Sequence, residues 1–262
     1  MADNITLPQP VRNYFAWTFT LLLALLAWIP TLQQTFSMLS VQMYGTMGLS
    51  LAPFLLFWTI MMAAMMLPAL APTISVQYTS MYRQSLNIIA CTAHIVTFIL
   101  GYLCLWLLFG IPVFFLAVFS AWLVFHVPIA AVGLGVFLFI ASGLYQITPL
   151  KQRFLAHCNP SVNRHSACHV ITHPSSLFSD AKSGLRHGVF CVGCCGNLML
   201  VLLAVGLMNL PWMLLVTSAI FLEKNQLQGP RLSFYLGALL LSYGLLAFII
   251  PSLLPGLYKG HF

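Results

Sequence analysis

Charged side chains are scarce in this chain. Only 5% of its 262 residues are Asp, Glu, Lys or Arg and 61% are hydrophobic, whereas an ordinary soluble domain has roughly a quarter charged residues. A water-soluble surface cannot be built from this composition. We therefore predict an integral membrane protein whose main partner is the lipid bilayer.

Acidic residues are the scarcest of all, and their scarcity excludes several kinds of chemistry. The chain has three: Asp3, Asp180 and Glu223. A carboxylate proton relay or a di-iron carboxylate site needs several carboxylates. Phosphate-loop, dinucleotide, HExxH and GxSxG motifs are also missing from the sequence, which removes the ATPase and hydrolase classes. We expect a protein that is not an enzyme.

The excess of basic residues gives a formal charge of +7. In a soluble protein such an excess is typical of nucleic-acid binding, but in a membrane protein it reflects topology, and we expect no nucleic-acid partner. Seven cysteines are present. A small secreted disulfide scaffold is excluded by the length and hydropathy of the chain, so the thiols need another explanation.

Apolar runs long enough to cross a hydrocarbon core of about 30 Å predict an all-α, polytopic transmembrane helix bundle. About seven spans are expected, with six to eight compatible with the pattern, in a single membrane domain over 1–262. The runs are 14–31, 51–71, 88–110, 127–147, 185–207, 211–223 and 232–254. The run 211–223 is short. The apolar stretch 111–125 could lengthen the third helix, lie in the interface or re-enter the membrane.

Seven crossings with a cytoplasmic N-terminus divide the basic residues nine to one. The side predicted to be cytoplasmic would hold Arg12, Arg83, Lys151, Arg153, Arg164, Lys182, Arg186, Lys224 and Arg231, and the other side Lys259. The positive-inside rule favours this orientation. We predict a multi-pass protein of the bacterial inner membrane, with the long loop 148–184 cytoplasmic and the C-terminus outside.

The fifth span contains a cluster of potential metal ligands. His187, Cys191, Cys194 and Cys195 have spacings that keep the imidazole and at least two thiols on one helix face. Buried cysteines also occur as small apolar residues, and the glycines of this span, such as Gly184 and Gly188, could simply allow close helix packing. Both interpretations are compatible with the sequence.

Further soft ligands are expected at a similar depth. Met62, Met65 and Met66 lie in the second span, and Cys91 and His94 near the start of the third. Thioethers and thiolates favour Cu(I), although a methionine stripe is also typical of core packing. On the predicted topology, all five residues fall in the cytoplasmic half of the membrane with the fifth-span cysteines.

Two other features have alternative interpretations. The long loop contains His157, Cys158 and an H-x2-C-H-x3-H pattern that lacks the paired halves of a structural zinc module; the pattern comprises His165, Cys168, His169 and His173. It is either a metal handover site or a polar loop that happens to contain histidine. Glu223 and Lys224 are either a functional buried pair or an interfacial anchor.

Three sequence blocks together resemble a known family. WTIMMAAMMLP in the second span, GLYQITPLK followed by Cys158, and GLRHGVFCVGCCGNLM through GLMNLPWM to Glu223 and Lys224 resemble a bacterial family of predicted metal-binding integral membrane proteins, some of which are labelled copper chaperones. The resemblance spans roughly residues 51–225 and keeps the order of the blocks.

The resemblance implies a set of motif positions. They are Trp58, Met62, Met65, Met66, Pro68, Tyr145, Thr148, Pro149, Lys151, Cys158, Gly188, Cys191, Cys194, Cys195, Met199, Asn209, Glu223 and Lys224. Two departures are evident. Gly196 replaces the aromatic residue that usually follows the double cysteine, which could enlarge the space beside the thiols, and the loop is richer in histidine than the family pattern.

The leading hypothesis is a membrane protein that binds Cu(I) through the fifth-span cysteines and the methionine stripe, helped by Cys91 or His94. It would store copper or deliver it to a membrane cuproenzyme or metallochaperone partner. Zinc is the alternative metal if His187 completes the site. The alternative functions are a metal transporter, a structural or assembly subunit of a larger membrane complex, and a thiol-redox protein using the C-x-x-C spacing of Cys191 and Cys194.

Overall fold

The structure is a computed structural model that describes residues 9–38, 45–46, 48–83, 87–158, 176–225 and 229–258. Regular structure in these ranges is helical, which confirms the predicted all-α class. The helices are α1 (Gln9–Met38), α2 (Leu51–Arg83), α3 (Ile88–His126), α4 (Pro128–Ile147), α5 (Pro149–Cys158), α6 (Leu177–Val205), α7 (Leu210–Asn225) and α8 (Gly229–Ile249), followed by a short 3-10 helix (Pro251–Leu253).

Six of these helices, α1 to α4, α6 and α8, are long and apolar enough to cross a membrane. The chain is therefore a multi-pass membrane protein, and six lies within the predicted range of six to eight. The predicted span 211–223 corresponds to α7, which has 16 residues. At 1.5 Å per residue, α7 is about 24 Å long, which is shorter than a hydrocarbon core of about 30 Å.

The stretch 111–125 lengthens the third helix, which was one of the three predicted alternatives. Helix α3 is continuous for 39 residues and contains Pro112. Its length of about 58 Å exceeds the thickness of a bilayer core, so α3 either tilts strongly or extends beyond the hydrocarbon.

The long connection predicted over 148–184 contains helical structure at both of its ends. Thr148 has extended backbone angles, as expected before a proline, and Pro149 then begins α5 with its fixed φ. Helix α6 begins at Leu177, and the hydroxyl of Ser176 caps it by accepting a hydrogen bond from the N–H of Ser179 (3.3 Å). Polar composition concealed these helical turns, because caps and short amphipathic helices are themselves polar.

The residues that meet between helices show the direction of each helix relative to its neighbours. Trp58 of α2 lies beside Trp106 of α3, and Phe54 lies beside Phe114, so these two helices are antiparallel. Helices α3 and α6 are parallel, since Phe98 of α3 packs against Gly184 of α6 and the later Phe109 packs against the later Gly196.

Contacts between residues also give the relative directions of α4, α7 and α8. Gly143 of α4 packs on Gly237 of α8, whereas the earlier Gly135 meets the later Leu254, so α4 and α8 are antiparallel. Helix α7 runs parallel to α4, since Phe139 packs on Trp212 and Gln146 bonds to Glu223. Although short, α7 connects the end of α6 to the start of α8. We name the end of the bundle that holds α5, the C-terminus of α7 and the N-terminus of α8 the loop end.

Helices α3 and α6 approach each other at their backbones. A Cβ placed on Gly101 would lie 2.2 Å from the carbonyl oxygen of Ala181, and one on Gly184 would lie 2.1 Å from that of Phe98. The packing interpretation of the fifth-span glycines is thereby confirmed at Gly184. This close approach positions the side chain of Tyr102 against the cysteines of α6.

Candidate functional site

Four cysteines have neighbouring thiols, which we name the thiol chain. Cys158, the last residue of α5, interacts electrostatically with Cys194 of α6, Cys194 with Cys195, and Cys195 with Cys191. All four side chains are buried, with at most 3% exposed. Spacings of one, three and four residues place the α6 members on one face of the helix, and α5 folds back against α6 to add Cys158.

Two polar groups contact the inner end of the thiol chain. The Nζ atom of Lys224 donates a hydrogen bond to the Sγ atom of Cys191 over 3.0 Å, and the Oη atom of Tyr102 lies 3.0 Å from the same sulfur. Lys224 is 2% exposed and Tyr102 is fully buried. Because an ammonium has three donors and no acceptor, the sulfur of Cys191 is the acceptor in this contact.

The neighbouring acid, Glu223, has partners of its own. Its carboxylate accepts hydrogen bonds from Nζ of Lys151 (2.8 and 2.9 Å), the hydroxyl of Ser233 (2.8 Å) and the amide of Gln146 (3.4 Å). Lys151 and Glu223 are fully buried. The anchor interpretation of Glu223 and Lys224 is therefore wrong: successive helix residues point about 100° apart, and each charge meets a different group inside the protein.

Aromatic rings close the space around the thiols. The ring of Phe154 from α5 packs against Gly193, whose carbonyl accepts a hydrogen bond from the hydroxyl of Tyr145 (2.6 Å). Gly196 does not open a cavity beside the cysteines, as its small size suggested. A Cβ there would lie 3.3 Å from the ring of Phe109, so an aromatic side chain of α3 fills the space.

His187 lies one turn before Cys191 but packs among aromatic rings. Its ring centroid is 5.9 Å from that of Phe98 and 6.1 Å from that of Tyr102. Within the described ranges, no hydrogen bond joins His187 to the thiol chain.

Cys91 and His94 are not brought to the thiol chain. His94 hydrogen-bonds the carboxylate of Asp180 through its Nδ1 atom, and Cys91 is buried nearer the start of α3. These residues precede Tyr102 by 11 and 8 positions, which is about 16 and 12 Å along the helix. The expectation that either one helps the fifth-span cysteines to bind metal is not supported by their placement.

The methionine stripe reaches the level of the thiols on a different helix. Met62, Met65 and Met66 are completely buried. Trp58 lies beside Trp106, so the antiparallel register brings the three methionines to the level of Phe98 to Tyr102. Helix α2 packs mainly against α1, α3 and α7, which places the thioethers in the same layer as Cys191 but chiefly against other neighbours.

The described part of the long loop adds little to this site. His157 is exposed and its ring stacks on Phe190, with centroids 4.6 Å apart. The predicted cluster of His165, Cys168, His169 and His173 lies outside the described residues.

The thiol chain has the geometry of paired rather than convergent ligands. In the part of the chain that the structure describes, no three His, Cys, Asp or Glu side chains are grouped so that they could hold one metal ion. The interactions within the thiol chain instead join the thiols two at a time. Such pairs suit two-coordinate binding of a soft ion, and thiolate is a preferred ligand of Cu(I).

Sequence reasoning missed two of these contacts. Tyr102 gave no signal, because an aromatic residue in a membrane helix is ordinary. The pairing of Lys151 with Glu223 could have been predicted from the sequence, since a lone acid buried in a membrane protein needs a cationic partner.

Comparison with known proteins adds one finding. A family model described as a copper chaperone, PpoB2, matches residues 55–247, a range that includes the thiol chain, the methionine stripe and both buried lysines. Neither the curated proteins nor the solved structures give a match.

Proposed function

The chain belongs to the PpoB2 family of copper chaperones, and from this premise we propose that it holds Cu(I) within the membrane through its buried thiols and stores the ion or delivers it to a membrane cuproenzyme. The observation that carries the proposal is the thiol chain. Four cysteines from two helices have neighbouring thiols and are buried.

The chemistry of the thiol chain favours Cu(I). Soft sulfur ligands select Cu(I) over hard cations, and burial protects both the ion and the thiols from oxidation by the medium. Each pair along the chain offers a further thiol to a bound ion, so Cu(I) can pass from Cys158 toward Cys191 by exchanging one ligand at a time. The methionines of α2 supply weaker thioether ligands in the same layer.

We place the loop end on the cytoplasmic side of a bacterial inner membrane, with the C-terminus outside. The distribution of Lys and Arg supports this orientation, and a reducing cytoplasm would keep the cysteines available as thiols. In this orientation Cys158 is the member of the thiol chain closest to a soluble donor or acceptor of copper.

Zinc is the comparison metal. It prefers four ligands in a tetrahedron, whereas no three such ligands converge among the described residues and His187 packs among aromatic rings. The same protein should therefore bind Zn(II) more weakly than Cu(I).

A thiol-redox function is the second candidate, because the thiols of Cys158 and Cys194 are neighbours and could form a disulfide. Alkylation of the thiols before and after exposure to a mild oxidant separates the candidates. Reversible loss of two alkylation sites at Cys158 and Cys194 would favour redox cycling, and unchanged labelling would count against it.

The primary test is metal content of detergent-purified protein after anaerobic loading with Cu(I) or Zn(II). We expect stoichiometric copper in the wild type and none in a C191A/C194A/C195A variant. The matched control is C104A, which removes an exposed cysteine on α3 and should bind as much copper as the wild type. Folded wild-type protein that takes up no copper would refute the proposal.

A further inference from the structure

The two buried lysines of the bundle differ in what balances their charge. Lys151 pairs with the carboxylate of Glu223 at 2.8 Å. The hydrogen bond of Lys224 goes instead to the sulfur of Cys191 at 3.0 Å. Both ammonium groups are inside the protein, at 0% and 2% exposure.

An ammonium group in a low-dielectric interior needs a negative charge nearby, since the loss of hydration is otherwise uncompensated. For Lys151 the carboxylate provides that charge. For Lys224 the group in contact is a sulfur atom, which becomes negative as a thiolate. Tyr102 adds a hydroxyl at 3.0 Å from the same sulfur, and a thiolate can accept both hydrogen bonds.

The charges of two thiolates and of Lys224 determine which bound metal ion leaves the site neutral. Two thiolates and one Cu(I) form a complex of charge −1, and the ammonium of Lys224 brings the total to zero. A divalent ion on the same two thiolates would leave a net charge of +1 in the membrane. Binding of Cu(I) replaces thiol protons by the metal and transfers no electron.

We propose that Cys191 and Cys195 form a two-coordinate site for a monovalent soft metal ion and that Lys224 is its built-in counter-charge, which selects Cu(I) over divalent ions. This inference rests on the proposed function. Cys191 and Cys195 are both buried and lie one turn apart on one face of α6, and their thiols interact electrostatically, so one small ion can replace their thiol protons. Cys194 and Cys158 continue the thiol chain away from Lys224.

The test compares three variants of the full-length protein in detergent, using competition with a Cu(I) chelator. K224M removes the charge and should lower Cu(I) affinity about 10- to 100-fold, as the loss of an outer-shell partner does at other metal sites. K224R keeps the charge and should stay within about a few-fold of the wild type, because charge-assisted contacts dominate such pairs. K182M removes an equal charge from an exposed position and should leave the affinity unchanged.

Two results would overturn the inference while leaving the proposed function intact: wild-type affinity in K224M, or an equal loss in K224R and K224M. If K224M does not fold, X-ray absorption at the copper edge of the wild-type protein decides. Two sulfur ligands per copper support the site, and three or four overturn it. Wild-type protein that binds no Cu(I) would instead refute both the inference and the proposed function.

Discussion

The thiol of Cys158, the last residue of α5, lies within electrostatic reach of the thiol of Cys194 in the middle of α6. Cys158 is thus the point at which the thiol chain comes closest to the loop end. A copper donor that approaches from this end would meet Cys158 and Cys194 before it meets Cys191.

Replacing Cys158 should therefore affect copper transfer more than copper retention. We expect C158A to slow the uptake of Cu(I) from a soluble thiol donor by at least about tenfold, because the first exchange partner is lost, while affinity at Cys191 and Cys195 falls much less. Stopped-flow transfer and chelator competition measure the two quantities. The control C104A removes an exposed cysteine and should change neither; an equal loss of rate and affinity in C158A would contradict the expected order of the ligands.

Tyr102 should tune the thiolate of Cys191. Y102F removes the hydroxyl that lies 3.0 Å from the sulfur, and we expect about a tenfold loss of Cu(I) affinity, at the low end for outer-shell partners. Y145F is the matched control, because the hydroxyl of Tyr145 bonds to the carbonyl of Gly193 and not to a thiol. Equal effects of the two substitutions on affinity would show that the hydroxyl of Tyr102 acts only through packing.

The pair of Lys151 and Glu223 should stabilise the folded protein and have little effect on its affinity for copper. K151M leaves a buried carboxylate without its cation, and we expect a loss of about 3–5 kcal/mol in the free energy of unfolding. The double variant K151M/E223Q removes both charges and should recover part of that loss. Denaturant unfolding in detergent measures the cycle, and strictly additive effects would mean that the two charges do not stabilise each other.

The contact between α3 and α6 should tolerate no side chain at Gly184. In G184A the new methyl group would collide with the carbonyl oxygen of Phe98, and we expect a destabilisation of about 1–3 kcal/mol from overpacking, together with weaker copper binding as Tyr102 moves away from Cys191. Gly133 of α4 offers a control, since a Cβ there meets nothing within 4 Å. G133A should be neutral or slightly stabilising, and an equal loss in both variants would contradict the role of the close approach.

Sequence periodicity and hydropathy predicted the elements that are long and apolar. The predicted spans 51–71 and 88–110 lie within long membrane helices, and most of each of the spans 14–31, 127–147, 185–207 and 232–254 does so too. Hydropathy could not separate 111–125 from the preceding run, because an apolar stretch has the same composition whether it continues a helix or lies in the interface. The short helix α5 was missed since its mean composition is polar.

The candidate site was predictable as a set of residues but not as an arrangement. Helical spacing placed Cys191, Cys194 and Cys195 on one face, and the family resemblance pointed to Cys158. Which side chains meet across helices depends on backbone distances such as that between Gly101 and Ala181, which no spacing within one helix encodes. For that reason His94, expected near the thiols, pairs with Asp180 instead.

The length of α7 has a consequence for where charge can be placed. A helix that spans the hydrocarbon ends in the headgroup region, where a terminal lysine would be solvated. With 16 residues, α7 ends while still inside the bundle, and its last turn carries Glu223 and Lys224 to the depth of Cys191. The shortness of this helix thus sets the depth of the ammonium group, and an α7 longer by one turn would move that charge toward water and leave the thiols with no cation beside them.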